Sequence, residues 1–313
     1  MQSRAFGVLA ASGAMIAVGT GVTVSHELVD YPVFGAQAVR YAIAAAILIG
    51  GALLLHRPVP MPRGRDWLWL IGIALTGLVL FNIAVIRAVE YAEPAAVAVL
   101  IGAVPLVLLF AESIRLRRRP APLLLAGAVL VFIGAALVQG GGRTTVEGVA
   151  WAVVALLCEA AFTLLAVPVL GRLGAVGVSV HTCWMAALML GALALGIDGV
   201  AALPAMEMEV VLAIAYLAIV LTAIAFVLWY SSVGLLGPAV AGLFAGLMPI
   251  AAALTGVIPG LTTVTPAVLG GSLVVGAGIA MGMRADAPTR VTGEHAAAAP
   301  AAVPSASAGM ADG

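Results

Sequence analysis

Ten apolar segments of about twenty residues each run along this chain, and they limit what it can fold into. The hydrocarbon core of a bilayer is about 30 Å thick, so a helix needs roughly 20 apolar residues to cross it. Lipid offers the backbone no hydrogen-bond partners, which favours a helix in every such segment. The sequence predicts an all-α integral membrane protein with ten transmembrane helices, near residues 5–25, 33–55, 67–88, 94–114, 122–140, 147–168, 177–196, 209–231, 238–258 and 265–283.

The composition indicates that lipid is the main solvent of this chain. Hydrophobic residues make up 64% of the 313 residues and charged residues only 9%, whereas a soluble domain carries about 25% charged residues. The 14 basic and 14 acidic residues cancel, which argues against nucleic acid as a partner. The two cysteines, Cys158 and Cys183, lie in apolar segments and indicate neither a disulfide framework nor a metal site. No metal and no cofactor are predicted.

The arginines orient the helices. With the amino terminus inside, one side of the membrane collects eleven arginines and the other side only Arg143. Cytoplasmic loops carry the excess of basic residues in membrane proteins. We therefore predict a multi-pass protein of the plasma membrane with both termini cytoplasmic. The eleven are Arg4, Arg57, Arg63, Arg65, Arg115, Arg117, Arg118, Arg119, Arg172, Arg284 and Arg290.

A shift of 144 residues places three prolines and three glycines of the first half on those of the second half. The pairs are Pro94 with Pro238, Pro105 with Pro249, Pro122 with Pro266, Gly102 with Gly246, Gly127 with Gly271 and Gly134 with Gly278. Five helices per half is an odd number, so the second half enters the membrane from the opposite side. We predict two inverted five-helix repeats, residues 1–140 and 146–283. A disordered cytoplasmic tail, residues 284–313, is predicted from its Ala, Pro, Ser and Gly content.

Pro105 and Pro249 fall near the middle of helices 4 and 9. A proline in a helix clashes with the carbonyl four residues earlier and removes its hydrogen bond. A carbonyl freed at membrane depth is tolerated only against protein or a wet cavity. We predict that these prolines, with Gly102 and Gly246, kink the helices and line a cavity, although plain packing kinks are an alternative.

Glu159 is the ionisable residue that lies deepest in the predicted membrane. It is about twelve residues, or roughly 18 Å, into helix 6, and no other charge lies within a helical turn of it. Apolar surroundings disfavour the charged form of a carboxyl group, which suits proton coupling. The alternative is a neutral glutamic acid that bonds a neighbouring helix.

Arg40 lies in the outer half of helix 2, where it either attracts a substrate carboxylate or forms a static ion pair. The acids considered as ion-pair partners are Asp30, Glu90 and Glu93. Four neutral side chains are further candidates for the cavity wall, namely Gln37, Asn82, Trp184 and Tyr230. Trp184 is the counterpart of Arg40 under the shift and is the preferred aromatic wall. For each of the four, packing between helices is the alternative.

Four segments, together with the ten-helix layout in two repeats, resemble one known family. The segments are Val33–Tyr41 (VFGAQAVRY), Ala88–Pro105 (AVEYAEPAAVAVLIGAVP), Ser231–Pro249 (SSVGLLGPAVAGLFAGLMP) and Leu261–Gly271 (LTTVTPAVLGG). On these features the chain resembles the EamA family of the drug/metabolite transporter superfamily over residues 5–283, and Arg40 matches the family's arginine. The family usually has a glutamate before the Leu-Thr of the second repeat, and Ile258-Pro259-Gly260 stands there instead. The resemblance implies transport of amino acids, nucleobase-like compounds or other small metabolites, usually driven by a proton gradient.

We predict a secondary active transporter, a proton-coupled exporter of amino acids or other small metabolites that works by alternating access. Its partners are then the small-molecule substrate, the proton and the bilayer, and a homodimer is left open. An integral membrane enzyme and a channel are the alternatives. The chain has no G-x-x-x-x-G-K-[ST] segment to bind ATP. It also has no cluster of His, Asp or Glu of the kind a membrane enzyme needs, so no enzymatic activity is predicted.

Overall fold

The computed structural model describes residues 2–28, 31–56, 58–197, 199 and 207–285. These residues contain ten helices that are long and apolar enough to cross a membrane. In chain order they are α1 (Ser3–Leu28), α2 (Val33–Leu54), α3 (Asp66–Tyr91), α4 (Pro94–Arg115), α5 (Pro122–Gln139), α6 (Val146–Leu164), α7 (Val167–Ile197), α8 (Met208–Leu236), α9 (Pro238–Thr255) and α10 (Pro266–Ala285). The all-α prediction with ten membrane helices is confirmed.

Helix α7 begins ten residues before its predicted start, at Val167. Residues 167–173 form a short helical segment, and Gly174 then interrupts the helix with φ 68° and ψ 171°, a conformation that favours glycine. Arg172 holds this segment in place, because it forms an ion pair with Asp66 of α3 and donates a hydrogen bond to the Met61 carbonyl oxygen (3.2 Å). The predicted start at 177 lies close to the start of the regular helix that follows Gly174. The sequence analysis missed only the short segment before Gly174, because its tertiary contacts are absent from the local hydropathy pattern.

The two ends of the helical bundle meet on one face. The Arg4 side chain at the start of α1 donates a hydrogen bond to the Met283 carbonyl oxygen near the end of α10 (2.8 Å). We call this side the terminal face and the opposite side the far face. At the other end of α1, the hydroxyl oxygens of Thr23 and Thr255 of α9 lie 2.9 Å apart. Helices α1 and α9 therefore both run from the terminal face to the far face.

Helices α5 and α10 cross at backbone contact through four glycines. A Cβ added to Gly134 would lie 2.7 Å from the Gly271 carbonyl oxygen, and a Cβ added to Gly271 would lie 2.7 Å from that of Gly134. Gly127 and Gly278 repeat this reciprocal arrangement at the same distances. Glycines allow membrane helices to approach this closely. The four residues are also those that the 144-residue shift exchanges, so the reciprocity supports the predicted inverted repeat.

Four helices depart from regular α geometry, and they do so at positions that the same shift relates. Helix α4 is interrupted at residues 102–103, and α9 has a 3₁₀ turn at Phe244–Gly246, so each departs from α geometry within one turn before its central proline. Helices α3 and α8 contain π-helical segments at Ala74–Leu80 and Leu217–Ile224. Such π segments are rare and occur frequently at functional sites. The sequence analysis did not predict them.

The structure describes only the first two residues of the predicted tail. Helix α10 continues through Arg284 to Ala285, so the first two residues of the predicted tail are helical. Residues 286–313 lie outside the described part of the chain, as do Asp30, Arg57 and Arg290.

Candidate functional site

Arg40 is buried in the bundle, with 8% of its surface exposed. It lies two turns from the far-face end of α2, where its Nη2 donates a hydrogen bond to the hydroxyl of Tyr41 (2.6 Å). The guanidinium carbon lies 4.4 Å from the centroid of the Tyr41 ring, a cation–π contact. The aromatic ring therefore stabilises a positive charge that lipid would exclude.

No carboxylate in the described part of the chain lies within ion-pair distance of Arg40. Among the partners considered above, Glu90 instead pairs with Arg87 (2.6 Å), and Asp30 lies outside the described residues. The Nε of Arg40 and the Oε1 of Gln37, one turn earlier on α2, are buried without a hydrogen-bond partner. Buried polar groups nearly always form hydrogen bonds, so each of these two atoms lacks a partner that its burial requires.

Side chains of five helices are connected to Arg40 through Tyr41 and Tyr230. The Tyr41 hydroxyl interacts with Asn82 of α3 and lies within electrostatic range of Cys183 of α7. Tyr230 of α8, which is fully buried, lies within electrostatic range of Tyr41 and of Glu159 of α6. We call this group the central cluster; its polar members are Gln37, Arg40, Tyr41, Asn82, Glu159 and Tyr230.

Aromatic rings that are tilted against one another connect members of the central cluster. Phe162 of α6 lies between Phe226 and Tyr230 of α8, with 5.1 Å between ring centroids on each side. Phe226 continues to Tyr41 of α2, at 6.5 Å. The hydroxyl of Tyr230 donates a hydrogen bond to the Phe162 carbonyl oxygen (3.4 Å). The sequence analysis identified Tyr230 but missed Tyr41, Phe162 and Phe226, because aromatic residues in apolar segments resemble ordinary packing residues.

Glu159 is half-buried on α6 and makes no hydrogen bond or ion pair with any described residue. The sequence analysis gave a hydrogen bond from Glu159 to a neighbouring helix as the alternative to proton coupling. No such bond is present among the described residues. Asn82 is also half-buried, and its Nδ2 donates to the Leu78 carbonyl oxygen (2.5 Å) within the π-helical region of α3.

A cavity of about 570 Å³ opens on the terminal face between α1, α4, α7, α8 and α9. A volume of this size is typical of small-molecule sites. Its wall includes Phe6, Glu112, Arg115, Leu170, Tyr230 and Pro238. Tyr230 belongs both to this wall and to the central cluster, so the cavity and the polar centre share this residue.

Glu112 links two helices at the mouth of this cavity. Glu112 forms an ion pair with Arg115 one turn further along α4, with 3.7 Å between Nη2 and Oε1. The other carboxylate oxygen accepts a hydrogen bond from the backbone N–H of Ala239 (2.8 Å) in the first turn of α9. A negative charge at a helix amino terminus is stabilising. The sequence analysis missed this role because 127 residues separate the partners.

We expect Glu112→Ala to lower the free energy of unfolding by about 1 kcal/mol, the usual effect of removing a helix cap. Glu112→Gln keeps an acceptor oxygen and should lose less than half of that. Detergent-induced unfolding of the purified protein measures both. Glu147→Ala, which removes an exposed carboxylate on α6, is the control. A Glu112→Ala protein as stable as this control would contradict the capping role.

Trp184 lies apart from Arg40, in a second cluster at the terminal face. Its ring packs against Trp67 of α3 (6.3 Å between centroids), and its Nε1 donates a hydrogen bond to Nδ1 of His181 (3.2 Å). The other nitrogen of His181 donates to the Pro60 carbonyl oxygen (3.0 Å). Since a carbonyl only accepts, His181 is the neutral tautomer with its proton on Nε2. The ring and hydrogen-bond contacts of Trp184 are with Trp67 and His181, whereas those of Arg40 are with Tyr41.

The two central prolines are buried against protein. The Cα of Pro105 lies 3.5 Å from where a Cβ of Gly242 would stand, so α4 and α9 pack at this point. Gly246 packs against Val131 of α5 and Val275 of α10, and Gly102 lies beside Ala135 of α5. None of Pro105, Pro249, Gly102 and Gly246 lines the terminal-face cavity. Their lining of a cavity in another conformation stays a prediction.

In the described residues, no group of three His, Cys, Asp or Glu side chains is placed to hold a metal ion.

Comparisons with known proteins identify relatives of the chain. A family model described as the EamA-like transporter family matches residues 5–139. The chain is 27% identical over 269 residues to the uncharacterized transporter YetK of Bacillus subtilis (strain 168), with 82% of this chain and 80% of YetK covered. A solved crystal structure of a protein superposes with a TM-score of 0.77 at 19% identity and covers 91% of this chain and 98% of the other. That likeness concerns the fold alone.

The family match covers the first five helices, α1 to α5, which include Arg40 and Asn82. The YetK alignment extends over most of the chain. Together with the ten membrane helices, these matches support membership of the EamA-like transporter family.

Proposed function

We propose that the protein is a secondary active transporter that moves small solutes by alternating access between its two five-helix halves. One observation carries the proposal. Polar side chains from α2, α3, α6 and α8 form the central cluster inside an otherwise apolar bundle, and one of them, Tyr230, also lines a cavity that opens on the terminal face. A solute site with a path to one side of the membrane is what a carrier needs in one of its two states.

The halves would rock about the α5–α10 crossing. The reciprocal glycine contacts supply a rigid axis, because both backbones already touch and cannot approach further. The irregular segments of α3, α4, α8 and α9 lie at positions that the repeat relates, and helices change shape most easily at such breaks. In the opposite state, an equivalent cavity would then open on the far face.

We further propose that the protein lies in the plasma membrane with its terminal face in the cytoplasm, since the arginine-rich loops lie on that side. The observed cavity would then open to the cytoplasm, which suits loading of a solute for export. Amino acids and other small metabolites are the proposed substrates. Glu159 would carry the coupled proton, because its carboxyl group has no static partner among the described residues. A tag at either end that is labelled only from the cytoplasmic side would agree with this orientation.

Exchange in proteoliposomes tests the carrier function. The purified protein is reconstituted into vesicles loaded with an unlabelled bacterial metabolite extract and is then exposed to an isotope-labelled extract. We expect selected solutes to enter against their gradient in exchange for internal solute, with saturation. Flux without counterflow would favour a channel, and chemical conversion of the solute would favour an enzyme. Protein-free vesicles are the control.

A further inference from the structure

We propose that Gln37 and Arg40 on α2 form a binding subsite for a solute that carries a carboxylate beside an N–H donor, as an α-amino acid does. This inference rests on the proposed transport function and assigns the substrate contacts of that same site. Its basis is the juxtaposition of two unpaired buried groups, one a donor and one an acceptor, on the same face of one helix.

The donor is the guanidinium of Arg40. A positive charge that is 8% exposed among apolar helices requires a counter-ion, and no described carboxylate is within ion-pair distance. The Nη2 atom already donates to the Tyr41 hydroxyl, which fixes the plane of the guanidinium (2.6 Å). The adjacent Nε has no partner. The edge formed by Nε and Nη2 is the one that binds a carboxylate through two parallel hydrogen bonds.

The acceptor is the amide oxygen of Gln37. Residues three apart on a helix lie next to each other on one face, so Gln37 stands beside Arg40. The two groups would satisfy each other if Nε donated to Oε1, yet both atoms are unpaired in the same structure. A third group that accepts from Arg40 and donates to Gln37 would satisfy both. A carboxylate and an ammonium attached to one carbon atom have this combination.

The aromatic rings next to Arg40 would contact the rest of such a solute. Tyr41 connects Arg40 to Phe226, Phe162 and Tyr230, and Tyr230 borders the terminal-face cavity. An apolar side chain could pack on these rings while its zwitterionic end meets α2. The solute would enter through the terminal face once Tyr230 moves.

A mixture of three matched compound sets tests the subsite. Proteoliposomes receive the twenty proteinogenic L-amino acids, the deaminated carboxylic acids with the same side chains (hydrogen in place of the amino group) and the corresponding decarboxylated amines, all at equal concentration. Mass spectrometry of the vesicle contents measures uptake by counterflow. We expect amino acids to enter at least tenfold faster than the amine or the deaminated acid of the same side chain. Equal entry of an amine or a deaminated acid would overturn the proposal.

Substitutions at two positions assign the contacts. Arg40→Gln should reduce amino-acid uptake at least tenfold, and Arg40→Lys, which keeps the charge but loses the Nε–H, should fall between this variant and the wild type. Gln37→Met keeps the length of the side chain and removes the acceptor, so it should erase the preference for an amino acid over its deaminated acid. Arg87→Gln, which removes an exposed arginine that pairs with Glu90, is the matched control. Unchanged selectivity in Gln37→Met would overturn the proposal even if the Arg40 variants fail to fold.

The metabolite-extract assay separates this inference from the transport function itself. If solutes of the extract exchange but none of them carries a carboxylate beside an N–H donor, the carrier stands and the subsite is wrong. If no solute of either mixture exchanges, the proposed transport function is wrong.

Discussion

Gly271→Ala is expected to lower the free energy of unfolding by about 1–3 kcal/mol relative to Gly270→Ala, the usual range for overpacking a tight interior. Both positions are helical residues of α10, so the gain in helix propensity from the new methyl group is the same and cancels. The difference lies in what the methyl group meets. At Gly271 it would lie 2.7 Å from the Gly134 carbonyl oxygen, whereas at Gly270 nothing lies within 4 Å.

Unfolding of the purified variants in mixed detergent micelles, followed by circular dichroism, measures this difference. A second pair of variants, Gly278→Ala and Gly276→Ala, repeats the comparison two turns further along α10. The methyl group at 278 would lie 2.7 Å from the Gly127 carbonyl oxygen, whereas at 276 nothing lies within 4 Å. The double variant Gly134→Ala with Gly271→Ala should be less destabilised than the sum of its single variants. Once the first methyl group has moved the helices apart, the second meets less resistance. Equal stability of the Gly270 and Gly271 variants would contradict the close crossing.

Glu159→Gln is expected to abolish proton-driven accumulation of the transported solute, with at least a tenfold fall, and to leave solute exchange close to wild type. An amide cannot release or bind a proton at physiological pH, so a pH gradient would have nothing to act on. The substitution should disturb the fold little, because the carboxyl group makes no hydrogen bond or ion pair with any described residue and the amide has nearly the same shape.

Proteoliposomes with an imposed pH gradient measure accumulation, and the same vesicles without a gradient measure exchange. Glu147→Gln, at an exposed position in the first turn of the same helix, is the matched control and should keep both activities. Full proton-driven accumulation in Glu159→Gln would remove Glu159 from the coupling mechanism. Loss of both activities would instead indicate that the carboxyl group supports the bundle.

The sequence was informative wherever the lipid environment imposes a requirement on each residue separately. A segment that crosses the hydrocarbon core must be apolar and must satisfy its own backbone, so the ten helices were predictable from their composition. The deviations before Pro105 and Pro249 follow from the missing N–H of proline. The spacing of Gly127 and Gly134 and of their counterparts was visible as a repeat, although the sequence does not say that α5 and α10 touch.

Contacts between distant parts of the chain decided the rest. The cap that Glu112 provides for α9, the ion pair of Arg172 with Asp66 and the separation of Trp184 from Arg40 each depend on how helices pack. The same is true of the unpaired state of Arg40 and Gln37, since local spacing cannot show that no acid reaches them. Hydropathy and helical periodicity describe one segment at a time. The sequence alone therefore determined that this is a ten-helix membrane protein, and only the tertiary structure decided which buried polar groups meet, because that depends on which helix faces pack together.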